Sequence, residues 1–116
     1  MKAKKQTRRL SRNGKKTARV PQRFVHLRDI VLPILEPYGV KRVALFGSVV
    51  RGEDTPESDV DLLVKFKKPI GLLNVVGVEM ELSKQLKRKV DLVTEGALSK
   101  YIRPYVEKEK VILYER

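Results

Sequence analysis

The chain has 116 residues, with 26 Lys and Arg against 14 Asp and Glu, a formal net charge of +12, no cysteine and one histidine. That length suits one small domain with a single core. The lack of cysteine excludes a disulfide framework, a thiolate metal site and a cysteine nucleophile, and His26 alone cannot build a zinc cluster.

No apolar run approaches the roughly 20 residues needed to span a bilayer, and the first residues lack a secretory apolar segment, so the expectation is a soluble, cytoplasmic protein with no membrane partner. The charge is concentrated at one end. Residues 1–23 carry ten Lys or Arg and no acid, which leaves 16 basic against 14 acidic residues in the rest. Met1 to Val20 has few apolar residues and no helical or strand period, so it cannot bury enough surface to offset its ordering entropy and is expected to be disordered alone. The expected division is a basic extension over 1–22 and a folded domain over 23–116. Such an extension can bind nucleic acid through phosphate contacts and counterion release, or act only as a solubilising leader.

From Val20 onward the chain becomes periodic. Leu27, Ile30, Val31, Ile34, Leu35 and Tyr38 follow the spacing of an amphipathic helix that lays one stripe on a core. Pro33 should kink or break it, and Pro37-Tyr38-Gly39 should stop it, with Gly39 as a cap beyond the end. His26, just before the stripe, reads as solvent-facing. After Lys41-Arg42, Val43 to Phe46 is a short strand that ends in Gly47-Ser48, followed by a brief helix from Val49 to Arg51 that ends at Gly52. A strand that ends in Gly-Ser at a helix start offers unpartnered backbone N–H groups and a hydroxyl to an anion, and a phosphate suits it. Arg51 can fold back on such a phosphate or pair with Glu53 or Glu57 on the surface.

Glu53 to Ser58 is polar, contains Pro56 and reads as a loop with solvated acids. Asp59 and Asp61 then alternate with Val60 and Leu62, so that in a strand both carboxylates project from one face, roughly 7 Å apart at their bases. Two such carboxylates repel unless a cation neutralises them, and their reach suits one divalent ion or a pair about 3.5 to 4 Å apart. The plain alternative is a solvated pair at a strand entrance.

Lys65 to Pro69 reads as a basic turn. Leu72, Val75, Val76, Val78, Met80, Leu82 and Leu86 define a broad apolar face of a helix from about Leu72 to Lys87, with Gly77 allowing close approach to a sheet. Arg88 to Thr94 reads as a third strand, interrupted by Asp91. A short helix near Ala97 to Tyr101, a second from about Pro104 and a closing strand at Val111 to Tyr114 complete the chain. Tyr38, Tyr101, Tyr105 and Tyr114 could stack on bases, but their phases favour core packing for most of them.

Ten residues separate Gly47-Ser48 from Asp59-Val60-Asp61. This spacing resembles the signature of the nucleotidyltransferase superfamily that includes DNA polymerase beta and the kanamycin nucleotidyltransferases. The wording LFGSVVRGEDTPESDVDLLV is similar to the minimal nucleotidyltransferase family, and the likeness runs from about Leu27 to Tyr114. Where that family often has a small residue before the arginine, this chain has Val50, a departure that touches packing and leaves the acids intact. The resemblance implies an α/β (α+β) fold, a small mixed sheet with helices packed on it. It implies magnesium-dependent transfer of a nucleoside monophosphate, with Gly47, Ser48 and Arg51 binding the nucleotide and Asp59 and Asp61 holding the metal. It also implies a third acid on the strand after the long helix. Asp91 stands there, to complete the metal site or take the acceptor's proton.

Many family members are antitoxins whose partner is a HEPN-domain RNase toxin, so the resemblance implies AMP transfer from ATP to a tyrosine of such a toxin within a hetero-oligomer. The small domain leaves little chain for an acceptor domain, which agrees with a macromolecular acceptor. Two alternatives stay open: a non-catalytic antitoxin or nucleic-acid-binding module, and transfer to a nucleic-acid or small-molecule hydroxyl.

Overall fold

A computed structural model describes residues 20–116. The expectations made for the basic extension fall almost wholly on residues outside this range. A single turn of 3-10 helix at Gln22–Phe24 leads into α1 (Val25–Leu35), which carries Pro33 within it and continues as a second 3-10 turn at Glu36–Tyr38. Gly39 ends the helix in the left-handed conformation at φ +78°, the cap expected of it. β1 (Val40–Phe46) begins three residues before the apolar run predicted for it and takes in Lys41 and Arg42. After it come α2 (Ser48–Arg51), β2 (Val60–Phe66), α3 (Leu72–Leu86), β3 (Val90–Thr94), a 3-10 turn at Glu95–Ala97, α4 (Arg103–Glu109) and β4 (Val111–Glu115). β2 thus runs into the stretch read as a turn, and the helix predicted near Ala97 to Tyr101 is a 3-10 turn and a bend.

The four strands form one mixed sheet in the order β3-β2-β1-β4. β1 lies antiparallel to both β2 and β4, whereas β2 and β3 are parallel and joined across α3. The register sets Phe46 opposite Asp61, and Asp61 opposite Asp91. Two side chains of α3 pin β3 in place: Ser83 Oγ accepts the Val90 N–H at 3.0 Å and a Glu79 carboxylate oxygen accepts the Leu92 N–H at 2.8 Å. These bonds satisfy amides on the outer edge of β3 that no strand pairs.

Strand alternation sorts the core onto two faces. Val43, Leu45, Val60, Leu62, Val64, Val90 and Leu92 meet Val31 and Leu35 of α1 and Val78 and Leu82 of α3. The intervening residues Ala44 and Leu63 face the other way and pack with Leu98 and Val106. α3 is narrower in its buried face than its periodicity predicts. Leu72, Leu73, Val76 and Met80 are exposed, and the stripe that meets the core is Val75, Val78, Leu82 and Leu86. Gly77 points to open space, not to the sheet. Three of the four tyrosines also depart from the core packing expected: Tyr38, Tyr101 and Tyr105 are exposed, and only Tyr114 packs against the core.

Candidate functional site

The sheet brings the separated sequence motifs to one end. Phe46 closes β1, and the chain passes through Gly47 at φ +84° and ψ −157° into α2. Glycine is required here on two counts. That φ is poorly open to a residue with a side chain, and a Cβ at Gly47 would overlap Oδ2 of Asp61. The close approach presses the Asp61 carboxylate against the turn that carries Ser48. α2 spans only Ser48–Arg51, and Gly52 ends it at φ +74°.

Asp61 sits in β2 on the same face as Leu63, with Asp91 directly across on β3 and Asp59 two residues before it at the strand entrance. Asp61 is half-buried and Asp91 exposed. Burial, then the charges of Asp91 and Asp59, push the Asp61 carboxyl up to about 6, while Arg51 pulls the other way and Glu109 adds to the rise. A carboxylate surrounded by its own kind in a partly dry place is an incomplete electrostatic arrangement. The donors are all hard oxygen atoms on adjacent strands, a set that fits magnesium in kind. Asp59 is drawn toward Lys89, whose Nζ lies 3.9 Å from its Oδ2. Among the described residues no three His, Cys, Asp or Glu groups stand close enough to enclose an ion, so the Asp side chains must turn inward to share one.

Two residues that the motifs do not include complete this end of the molecule. The Gly47 N–H donates to Glu109 Oε2 at 2.8 Å, and Arg51 Nη1 donates to Oε1 of the same carboxylate at 2.9 Å and to Oε2 at 3.3 Å. Arg51 also donates through Nε to Glu53 Oε1 at 2.9 Å, the surface pairing weighed for it; Glu57 is not its partner in this arrangement. The hydrogen bonds it donates to Glu53 and then Glu109 raise the Arg51 guanidinium above its ordinary range, so it remains a cation. Behind the acids, Arg88 Nη2 donates to Asp54 Oδ2 at 3.2 Å and to the carbonyls of Thr55 and Ser58 at 3.1 Å each. Arg88 therefore ties down the loop that ends at Asp59. Asp54, expected to be solvated, is instead its partner.

Residues 27–113 match the model of the nucleotidyltransferase domain family. The chain belongs to that family. A protein adenylyltransferase of Thermococcus cleftensis, named MntA, is 41% identical over 76 residues, covering 66% of this chain and 77% of the relative. A solved chain provisionally described as a minimal nucleotidyltransferase aligns with a TM-score of 0.67 at 34% identity, over 82% of this chain and 97% of its own length. A chain in the complex of tri-AMPylated Shewanella oneidensis HEPN toxin with its MNT antitoxin aligns with a TM-score of 0.64 over 79% of this chain and 73% of that one. At 19% identity this last likeness is one of fold. The mixed sheet with helices packed on it is thus the fold of a minimal nucleotidyltransferase, and the chain is an enzyme of that class. No helix among its described residues is long and apolar enough to cross a membrane.

Neither Glu109 nor Arg88 of this nucleotidyltransferase carries a local signal. Glu109 lies in the unremarkable run Glu107-Lys108-Glu109-Lys110, 62 residues from Gly47. Its arrival at the site follows from topology: α4 lies in the connection from β3 to β4, its Val106 packs on the face of Ala44 and Leu63, and its last residue meets the turn after β1. Arg88 reads as an ordinary basic residue before a strand. Only the parallel pairing of β2 and β3 sets it beneath the loop after α2.

Proposed function

We propose that this nucleotidyltransferase transfers AMP from ATP to a protein hydroxyl, a tyrosine of a HEPN-type toxin partner, and so acts as an antitoxin, with magnesium as its metal. The observation that carries the reading is the in-register pair Asp61 and Asp91, with Gly47 packed against Asp61, within a chain of this family. The names of its relatives supply the nucleotide, the protein acceptor and the HEPN partner.

Each residue has a defined task in this reading. The Gly47 N–H and the Ser48 hydroxyl seat phosphate oxygens, and Arg51 adds a cation with fork geometry for them. Asp59 and Asp61 hold magnesium, which supplies charge neutralisation of the triphosphate when bound. Asp91 shares that task or receives the proton of the acceptor hydroxyl, and its exposure leaves room for an incoming protein side chain. The acceptor oxygen forms a bond to the α-phosphorus as the α–β bridging P–O bond breaks. Pyrophosphate leaves with the bridging oxygen. Catalysis is then mainly positioning and charge compensation.

The test is transfer of label from α-labelled ATP, with magnesium, onto the proteins of a lysate of the source cell and onto a candidate HEPN partner. The wild-type chain should label one protein band, and Asp59→Asn with Asp61→Asn should reduce that labelling by about 10³-fold or more, the scale expected when transition-state charge stabilisation is lost. The double variant should also fail to neutralise the partner. Neutralisation that persists in it would favour the non-catalytic antitoxin, and label found on RNA alone would favour a nucleic-acid acceptor.

A further inference from the structure

Glu109 is the last residue of α4, and its side chain is three-quarters buried at the turn between β1 and α2. Its carboxylate takes the Gly47 N–H and bridges to Arg51. These are the donors that a phosphate group would use, and a single N–H cannot serve both anions at full strength. We propose that Glu109 is a plug displaced by substrate: its carboxylate holds the Gly47 amide and the Arg51 guanidinium until a triphosphate takes them over. The inference rests on the nucleotidyl-transfer reading and adds to it a residue that sets the apparent affinity.

Three physical points support the plug. Gly47 is buried, so its N–H needs a partner in the absence of substrate, because a buried donor without one has given up its hydration for nothing. Glu109 provides that partner. An acid in the last turn of a helix faces the negative end of the backbone dipoles, so its place there draws on Arg51 and the Gly47 amide and not on its own helix. Finally, Glu109 adds negative charge beside Asp61, which already feels Asp91 and Asp59. Displacement of Glu109 by a magnesium-loaded triphosphate removes one repulsive contact as it forms the new attractive ones. A closed form occupied nine times in ten weakens the apparent affinity about tenfold relative to an open site.

Calorimetric titration of a non-hydrolysable ATP analogue with magnesium tests this in the full chain. Glu109→Gln keeps the shape and the acceptor oxygen but removes the charge, and should bind the analogue about five- to tenfold more tightly than wild type. Glu109→Ala removes the plug and should show the same sign, which answers the question even where the amide disturbs the fold. Glu107→Gln, an equal change of charge at a residue paired with Lys110 away from these donors, should stay within about twofold of wild type, as screening of an exposed charge requires. Thermal melts establish that each variant is folded. Equal or weaker binding by both Glu109 variants overturns the plug while leaving the triphosphate site in place. Absence of binding by wild type and all variants overturns the plug and the nucleotidyl-transfer reading together.

Discussion

Among the described residues, the cluster that α1 and α3 form with one face of the sheet holds fourteen buried side chains, from Phe24 to Leu113; in the cluster on the other face only Ala44, Leu63, Leu98 and Val106 are buried. The second face is also where Asp61 and Asp91 stand and where α4 brings Glu109 to Gly47. The contrast teaches how so short a chain accommodates a charged site. Apolar burial is concentrated on the α1 and α3 side, and the opposite side can then tolerate repelling carboxylates and a glycine turn.

Cutting one leucine from each face tests that division most strongly. Leu62→Ala, at a fully buried position in the larger cluster, should cost about 3 to 4 kcal/mol in urea unfolding, whereas Leu98→Ala should cost about 2 kcal/mol because a thin layer can relax around the gap. Equal losses would mean that both faces support the fold alike. Next in size is Arg88→Met. It removes three hydrogen bonds to the loop before Asp59, and should lower stability by about 1 to 2 kcal/mol. Magnesium should also be required at higher concentration for labelling, a change that simple destabilisation of the larger core does not produce.

The smallest effect concerns the site's own repulsion. Because the Asp61 carboxyl is pushed up to about 6 in the folded protein, the folded state binds that proton more tightly than the unfolded chain, whose value is near 3.8. Stability without metal therefore falls as pH rises from about 4 to 6 and levels off above. Asp61→Asn should be more stable than wild type by about 1 kcal/mol at pH 7.5 in chelator, after allowance for water around a partly solvated group. At pH 4 the two should melt together. Magnesium should erase the advantage at the higher pH.

Much of this was legible in the sequence where local pattern and physical role coincide. The run from Val43 to Val64 contains most of two antiparallel strands with α2 and a polar loop between them, and its alternation alone places Asp61 opposite the residues that enter the core. Gly39, Gly47 and Gly52 lie where left-handed backbone is needed. Apolar spacing misled where a side chain is apolar for reasons other than this chain's own core: Leu72 and Met80 on α3, and Tyr101 and Tyr105 at α4, are exposed. A helical period records which side chains share a face and not how much of that face the sheet covers. Glu109 and Arg88 were illegible because their partners lie 62 and up to 34 residues away, and nothing in a charged residue's neighbours states where topology will deliver it.

The bonds from Ser83 and Glu79 to the edge of β3 bear on how such a chain can change over evolutionary time. Side chains alternate along a strand, so a slip of one residue would carry Asp91 into the core and swing Val90 and Leu92 outward. The segment from Lys87, held left-handed at φ 57°, to Lys89 is therefore constrained in length more than in composition. Substitutions there can accumulate, but a single inserted or deleted residue would disconnect Asp91 from Asp61 while leaving every motif in the sequence intact.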